Sequence, residues 1–223
     1  EQGLAGQVGA RAEGNPLFAI QLVGDWVNRG ILELRDDGLA LRDDASAAIP
    51  DDIHQVWMGR FERVLAGRPA SARASLEVAA ALGQFVDWAE WRGACRRADT
   101  SPPASLLGDL AAQGLVRSDP QGWAFVHGMA RESLERSARE QHRWPQLNSA
   151  CADQLAEAGG RDVHERVGLL LVEAGRYEEA LGRLLLAVQD RLGLGEFRTA
   201  AGLLKTRSRL LDRLGIQRQD PRR

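Results

Sequence analysis

Apolar residues recur three and four positions apart along most of this chain, and only two short stretches break that rhythm with strand-like alternation. Such spacing gathers the apolar side chains on one face of successive helices, so it predicts a mainly α fold. Near the start, Asn15 suits an N-cap with Pro16 in the first helical position and Gly30 as the stop. The helix predicted over 16 to 29 would turn Leu17, Ile20, Val23 and Val27 toward a core. From Pro50 onward the stripes are Ile53, Trp57, Phe61 and Val64, then Leu76, Ala79 and Ala80, then Trp88, Trp91 and Cys95. Pro102-Pro103 breaks the chain before a fourth stripe of Leu106, Leu107, Leu110 and Ala111.

The two exceptions read as hairpins. Ile31 to Arg42 alternates around Asp37-Gly38, a strong two-residue turn signal. Leu115 to Ser118 and Trp123 to His127 flank Asp119-Pro120-Gln121-Gly122, whose proline in second place and glycine in fourth suit a type I turn. The Ala-rich run up to Pro50 reads as a connector. Three helices and then a hairpin is the winged-helix order, which divides the chain into a helix with a hairpin (1 to 47), a winged-helix domain (48 to 143) and a helical region (144 to 223).

Beyond a helix from Met129 to about Glu140, Pro145 opens a region that is helical throughout. Leu147, Cys151 and Leu155 line one helix; Val163, Val167, Leu170 and Leu171 line the next. Gly175-Arg176-Tyr177-Glu178-Glu179-Ala180 and Gly195-Glu196-Phe197-Arg198-Thr199-Ala200 then repeat a Gly-x-aromatic-x-x-Ala pattern, that of a tetratricopeptide-type helix start. Their offset of 20 residues differs from the usual repeat length of about 34, so the region is TPR-like rather than a regular array. Leu210, Leu211 and Leu214 keep the terminal helix apolar, and further repeats are expected to follow in a longer parent.

Enzymatic readings fail on particular residues. Of 29 basic residues only Lys205 is a lysine, and no Gly-x-x-x-x-Gly-Lys-Ser/Thr loop occurs. A P-loop or kinase site needs a lysine ammonium on the nucleotide phosphates, and Lys205 sits in an apolar helical pattern. The expectation is a chain that is not itself an enzyme, with no catalytic residues and no bound cofactor. His164-Glu165-Arg166-Val167-Gly168 lacks the second histidine of a zinc-protease helix, and no Cys or His cluster has metal-site spacing, so no metal site is expected. Gly193-Leu194-Gly195 lacks the last glycine of a dinucleotide fingerprint and reads as a helix-helix turn. The formal net charge of -2 supplies no field toward nucleic acid or an anionic membrane. Cys95 and Cys151 suit reduced buried thiols, and with no apolar span or signal peptide visible a cytoplasmic location is expected.

In motifs and order, the chain resembles the regulatory arm downstream of the nucleotide-binding core in STAND-class signal-transduction ATPases, including bacterial serine/threonine kinase fusions. The resemblance covers nearly all 223 residues. In that family a Gly-x-Pro motif opens a helical lid and its proline packs on the adenine; Gly14-Asn15-Pro16 matches. The family's winged helix carries a histidine, in a Met-His-Asp or similar motif, that contacts the terminal phosphate of ADP. Phe125-Val126-His127-Gly128 occupies that place, with Val and Gly where Met and Asp would stand. The resemblance thus implies that Gly14, Pro16 and His127 touch ADP or ATP in an intact parent, whose P-loop core would be the partner in cis. It also implies a protein partner on the TPR-like helices. Read without the family, Asn15-Pro16 is an ordinary helix start and His127 a strand-end histidine.

Two other functions fit parts of the chain. A winged-helix transcriptional regulator would use residues 102 to 113 as its recognition helix, yet these contain no Arg or Lys and do contain Asp109, a poor match to a phosphate backbone. A stand-alone TPR-like scaffold would account for residues 145 to 223 and leave the rest unexplained.

Overall fold

A computed structural model describes residues 4 to 12, 16 to 35, 38 to 42, 53 to 160, 162 to 216 and 220. They fall into two compact units, Glu1–Gly67 and Arg68–Arg223. The architecture is mainly α, as expected, with small antiparallel sheets.

The first unit contains α1 (Leu4–Ala12), α2 (Pro16–Asn28), β1 (Leu32–Arg35), β2 (Gly38–Leu41) and α3 (Ile53–Leu65). Helix α2 starts at Pro16, and Gly30 ends it with φ 63° while the N–H groups of Gly30 and Ile31 donate to the carbonyls of Val27 and Trp26. That left-handed stop is the one its sequence predicts. The expected hairpin also forms, pairing Leu32 with Leu41 through Arg35 with Gly38. The Ala-rich connector lies largely outside the described residues.

The buried face of α2 is not the predicted one. Phe18, Leu22 and Trp26 form a core with Ala12 and Val56, whereas Leu17, Ile20 and Val27 are exposed and Val23 is half-buried. Both faces of Pro16–Asn28 are apolar, so spacing cannot choose between them. The face carrying an indole and a phenyl ring removes more apolar area from water. On α3 the expected stripe holds, with Trp57 and Phe61 fully buried and Val64 nearly so. Arg60 lies over the Trp57 ring at 4.9 Å and donates to the Gln21 carbonyl at 3.3 Å, and burial lowers its pKa. Asp25, also buried, accepts from Arg63 at 2.8 Å.

The second unit runs α4 (Ala70–Leu82), β3 (Phe85–Asp87), α5 (Trp88–Arg97), α6 (Leu106–Ala112), β4 (Val116–Ser118), β5 (Gly122–Phe125) and α7 (Gly128–Glu140). Four more helices follow: α8 (Trp144–Ala158), α9 (Val163–Glu173), α10 (Tyr177–Gly193) and α11 (Phe197–Arg213). The predicted hairpin is β4-β5, closed by mutual backbone hydrogen bonds between Asp119 and Gly122. Strand β3, which the sequence does not announce, pairs with the other edge of β5 to give the order β3-β5-β4. Gly122 permits this approach, since a Cβ there would lie 2.1 Å from the Val86 carbonyl oxygen. Asp87 then caps α5, accepting from the N–H groups of Ala89 and Glu90 at 2.7 and 3.0 Å.

Below the sheet, Trp123 meets Trp91 and Phe125 edge-to-face with ring centroids 5.1 and 5.0 Å apart, an arrangement aromatic quadrupoles favour. Leu106 and Leu110 of α6 are buried as predicted, while Leu107 is half-buried and Ala111 exposed. Helices α8 to α11 pack each on the next, and α4 and α5 pack on α8. Ion pairs fasten these helices together. Wholly buried Glu77 on α4 accepts from Arg143 Nε and Nη2 at 2.8 and 2.5 Å, and Glu90 on α5 accepts both terminal nitrogens of Arg166 on α9 at 2.7 and 2.6 Å. These hydrogen bonds hold both guanidiniums more firmly protonated than usual. Cys95 and Cys151 are buried free thiols, and burial pushes the Cys95 thiol up to about 12 and raises that of Cys151 further still.

Candidate functional site

Pro16 is the exposed first residue of α2 in the first unit; Gly14 lies outside the described residues. Proline tolerates that position because its missing N–H would have no intrahelical acceptor. Its ring is thereby held on the surface at a helix start.

His127 belongs to the second unit. It follows β5 and occupies the N-cap position of α7 with extended backbone (φ −127°, ψ 136°), half-buried, its carbonyl accepting from Ala130 N–H at 3.1 Å. The ring makes no capping hydrogen bond to α7. Val126 before it is exposed and Gly128 after it opens the helix, next to Gln84, whose amide donates to the Phe125 carbonyl. An imidazole held at a helix N-terminus stands beside N–H groups that attract anions.

Helix α6, the segment a nucleic-acid reader would use, shows its acidic residue occupied. Asp109 pairs with Arg68, which also donates to Ser105 at 3.0 Å. Among the described residues, no group of three or more His, Cys, Asp or Glu could hold a metal ion, and no helix is long and apolar enough to cross a membrane.

A cavity of about 270 Å³ opens elsewhere in the second unit, between the end of α4 and helices α7, α8 and α9. Leu82, Leu169, Leu170 and the Trp144 indole form its apolar walls. Arg131, Arg166, Glu135 and Glu173 supply charge, and each is already paired: Arg131 with Glu135, Arg166 with Glu90, and Glu173 with Arg139. The Trp144 Nε1–H donates to Glu173 at 2.9 Å, and Asn148, only 1% exposed, donates through Nδ2 to the Trp144 carbonyl at 2.8 Å. No sequence motif marks this cavity; its single hint is a polar Asn148 inside the apolar run Leu147, Cys151, Leu155.

No protein-family model, curated protein or solved structure matches this chain.

Proposed function

We propose that the chain is a non-catalytic regulatory segment of a multidomain STAND-class signal-transduction ATPase, in which a lid helix, a winged helix and TPR-like helices couple nucleotide state to a protein partner. The observation that carries this reading is the topology of residues 70 to 125. Helix, strand, two helices and a hairpin, with the first strand on the far edge of the sheet (β3-β5-β4), follow the order expected of a winged helix and support that reading. It stands in the family's order, after a helix starting at Pro16 and before helices separated by glycine turns.

His127, at the strand-to-helix junction, is the residue that would reach the terminal phosphate of ADP in an intact parent. Pro16 would pack against the adenine, and the phosphate-cradling loop would come from a nucleotide-binding core in cis. An imidazolium donating to a phosphate oxygen forms a charge-assisted hydrogen bond, worth roughly 1.5 to 3 kcal/mol, or about ten- to a hundredfold in affinity. In the parent, His127→Ala should therefore release ADP faster and shift signalling toward the active state. Stopped-flow release of a fluorescent ADP analogue checks this, and unchanged ADP retention would defeat the proposal.

A further inference from the structure

We infer that the cavity between α4, α7, α8 and α9 binds one uncharged aliphatic residue of a peptide segment, with Asn148 as its polar anchor. The Asn148 side chain is almost wholly buried, and its Nδ2 is committed to the Trp144 carbonyl, which fixes the amide orientation because a carbonyl takes only a donor. Asn148 lines the cavity, and its Oδ1 accepts no hydrogen bond from the described residues. Solvent reaches Oδ1 from the cavity, and an entering N–H group can take over that acceptor in place of water.

Size and charge narrow the ligand. A volume of about 270 Å³ is below that of a drug-sized pocket and suits one side chain with its peptide unit. Each charged wall residue already faces an opposite charge, so a charged ligand would lose hydration without gaining a free counter-ion. The remaining walls, Leu82, Leu170 and the indole of Trp144, are apolar. Leu169, 41% exposed, stands where the lining meets solvent. The backbone N–H of the inserted residue would donate to Asn148 Oδ1 while its side chain fills the apolar end.

Titration of the chain with N-acetyl-leucinamide, followed through the Trp144 indole N–H resonance, tests this. Saturable shifts are expected, with N-acetyl-leucine and leucinamide, one anionic and one cationic, at least about tenfold weaker. A blocked Ala-Ala-Leu-Ala-Ala peptide should bind at least as tightly as the single residue. Asn148→Leu, which deletes the acceptor, and Leu169→Trp, which fills the mouth without touching a buried polar group, should each weaken binding about tenfold or more. Should Asn148→Leu fail to fold, Leu169→Trp decides alone. Absence of saturable shifts, a charged analogue binding as well as the neutral one, weaker binding of the pentapeptide, or full binding by Leu169→Trp would each overturn the inference.

Discussion

The two Gly-x-aromatic-x-x-Ala helix starts share a sequence pattern and a backbone, yet their side chains meet different surroundings. Gly175 and Gly195 both adopt φ 76°, and Ala180 and Ala200 are both buried. Tyr177, however, is half-buried with the Arg213 guanidinium 4.6 Å above its ring, whereas Phe197 is 69% exposed. About two turns further on, Leu184 is fully buried and its counterpart Leu204 is 45% exposed. Helix α10 lies between α9 and α11, while α11 leans chiefly on α10. The motif sets the turn and the small contact residue; neighbours decide the fate of the large ones.

The comparison breaks most readily at Leu184. Leu184→Ala should destabilise the chain by about 2 to 5 kcal/mol, as truncation in a packed core does, and Leu204→Ala by less than about 0.5 kcal/mol. Urea denaturation of both variants measures the gap, and equal losses would mean that the outer face of α11 is covered. Gly168 lets α9 approach Leu184 so closely that an added Cβ would lie 3.0 Å from Leu184 Cδ2 and 3.3 Å from its backbone nitrogen. Gly168→Val should therefore cost about 1 to 3 kcal/mol through overpacking, visible as a lowered Tm.

Smaller effects sharpen the contrast at the aromatic positions. Tyr177→Ala should lose about 1 to 2 kcal/mol, combining partial burial with its cation–π contact. Phe197→Ala should stay within about 0.5 kcal/mol of the parent sequence. The smallest signal belongs to Glu179, whose carboxyl is held below its ordinary value of 4.5 chiefly by the hydrogen bond from Arg176. A depressed carboxyl stabilises the fold above its unfolded pKa, and that contribution disappears as pH falls through the folded value. Because Glu179 is largely exposed, Glu179→Gln should remove only about 0.5 kcal/mol or less near neutral pH. The difference between the two proteins should shrink as pH falls below the ordinary glutamate range and vanish once the folded carboxyl is protonated, which a pH series of thermal melts would reveal.

Much of the scaffold was legible because its signals are local. Pro16 and Gly30 bracket α2, Asp119-Pro120-Gln121-Gly122 closes β4-β5, and the stripes on α3, α4, α8 and α9 are the buried ones except for half-buried Ile53 and Val163. What escaped depends on tertiary choice. The inward face of α2 is selected by Phe18 and Trp26 rather than by spacing, and β3 is three residues long, too short to alternate. The cavity was hardly legible, since its walls come from α4, α7, α8 and α9, which only the fold brings together.

The paired bonds from Arg143 to Glu77 and from Arg166 to Glu90 fix orientation as well as distance. A planar guanidinium clamped at two points resists twisting, so sliding α8 and α9 past α4 and α5 would strip buried Glu77 or half-buried Glu90 of its partner. Mechanically, the sheet-bearing half of the second unit and its helical half form one stiff lever. A load applied at the far helices arrives at the β3-β5-β4 sheet with little slack, and amides in both halves should exchange their hydrogens as a single cooperative block.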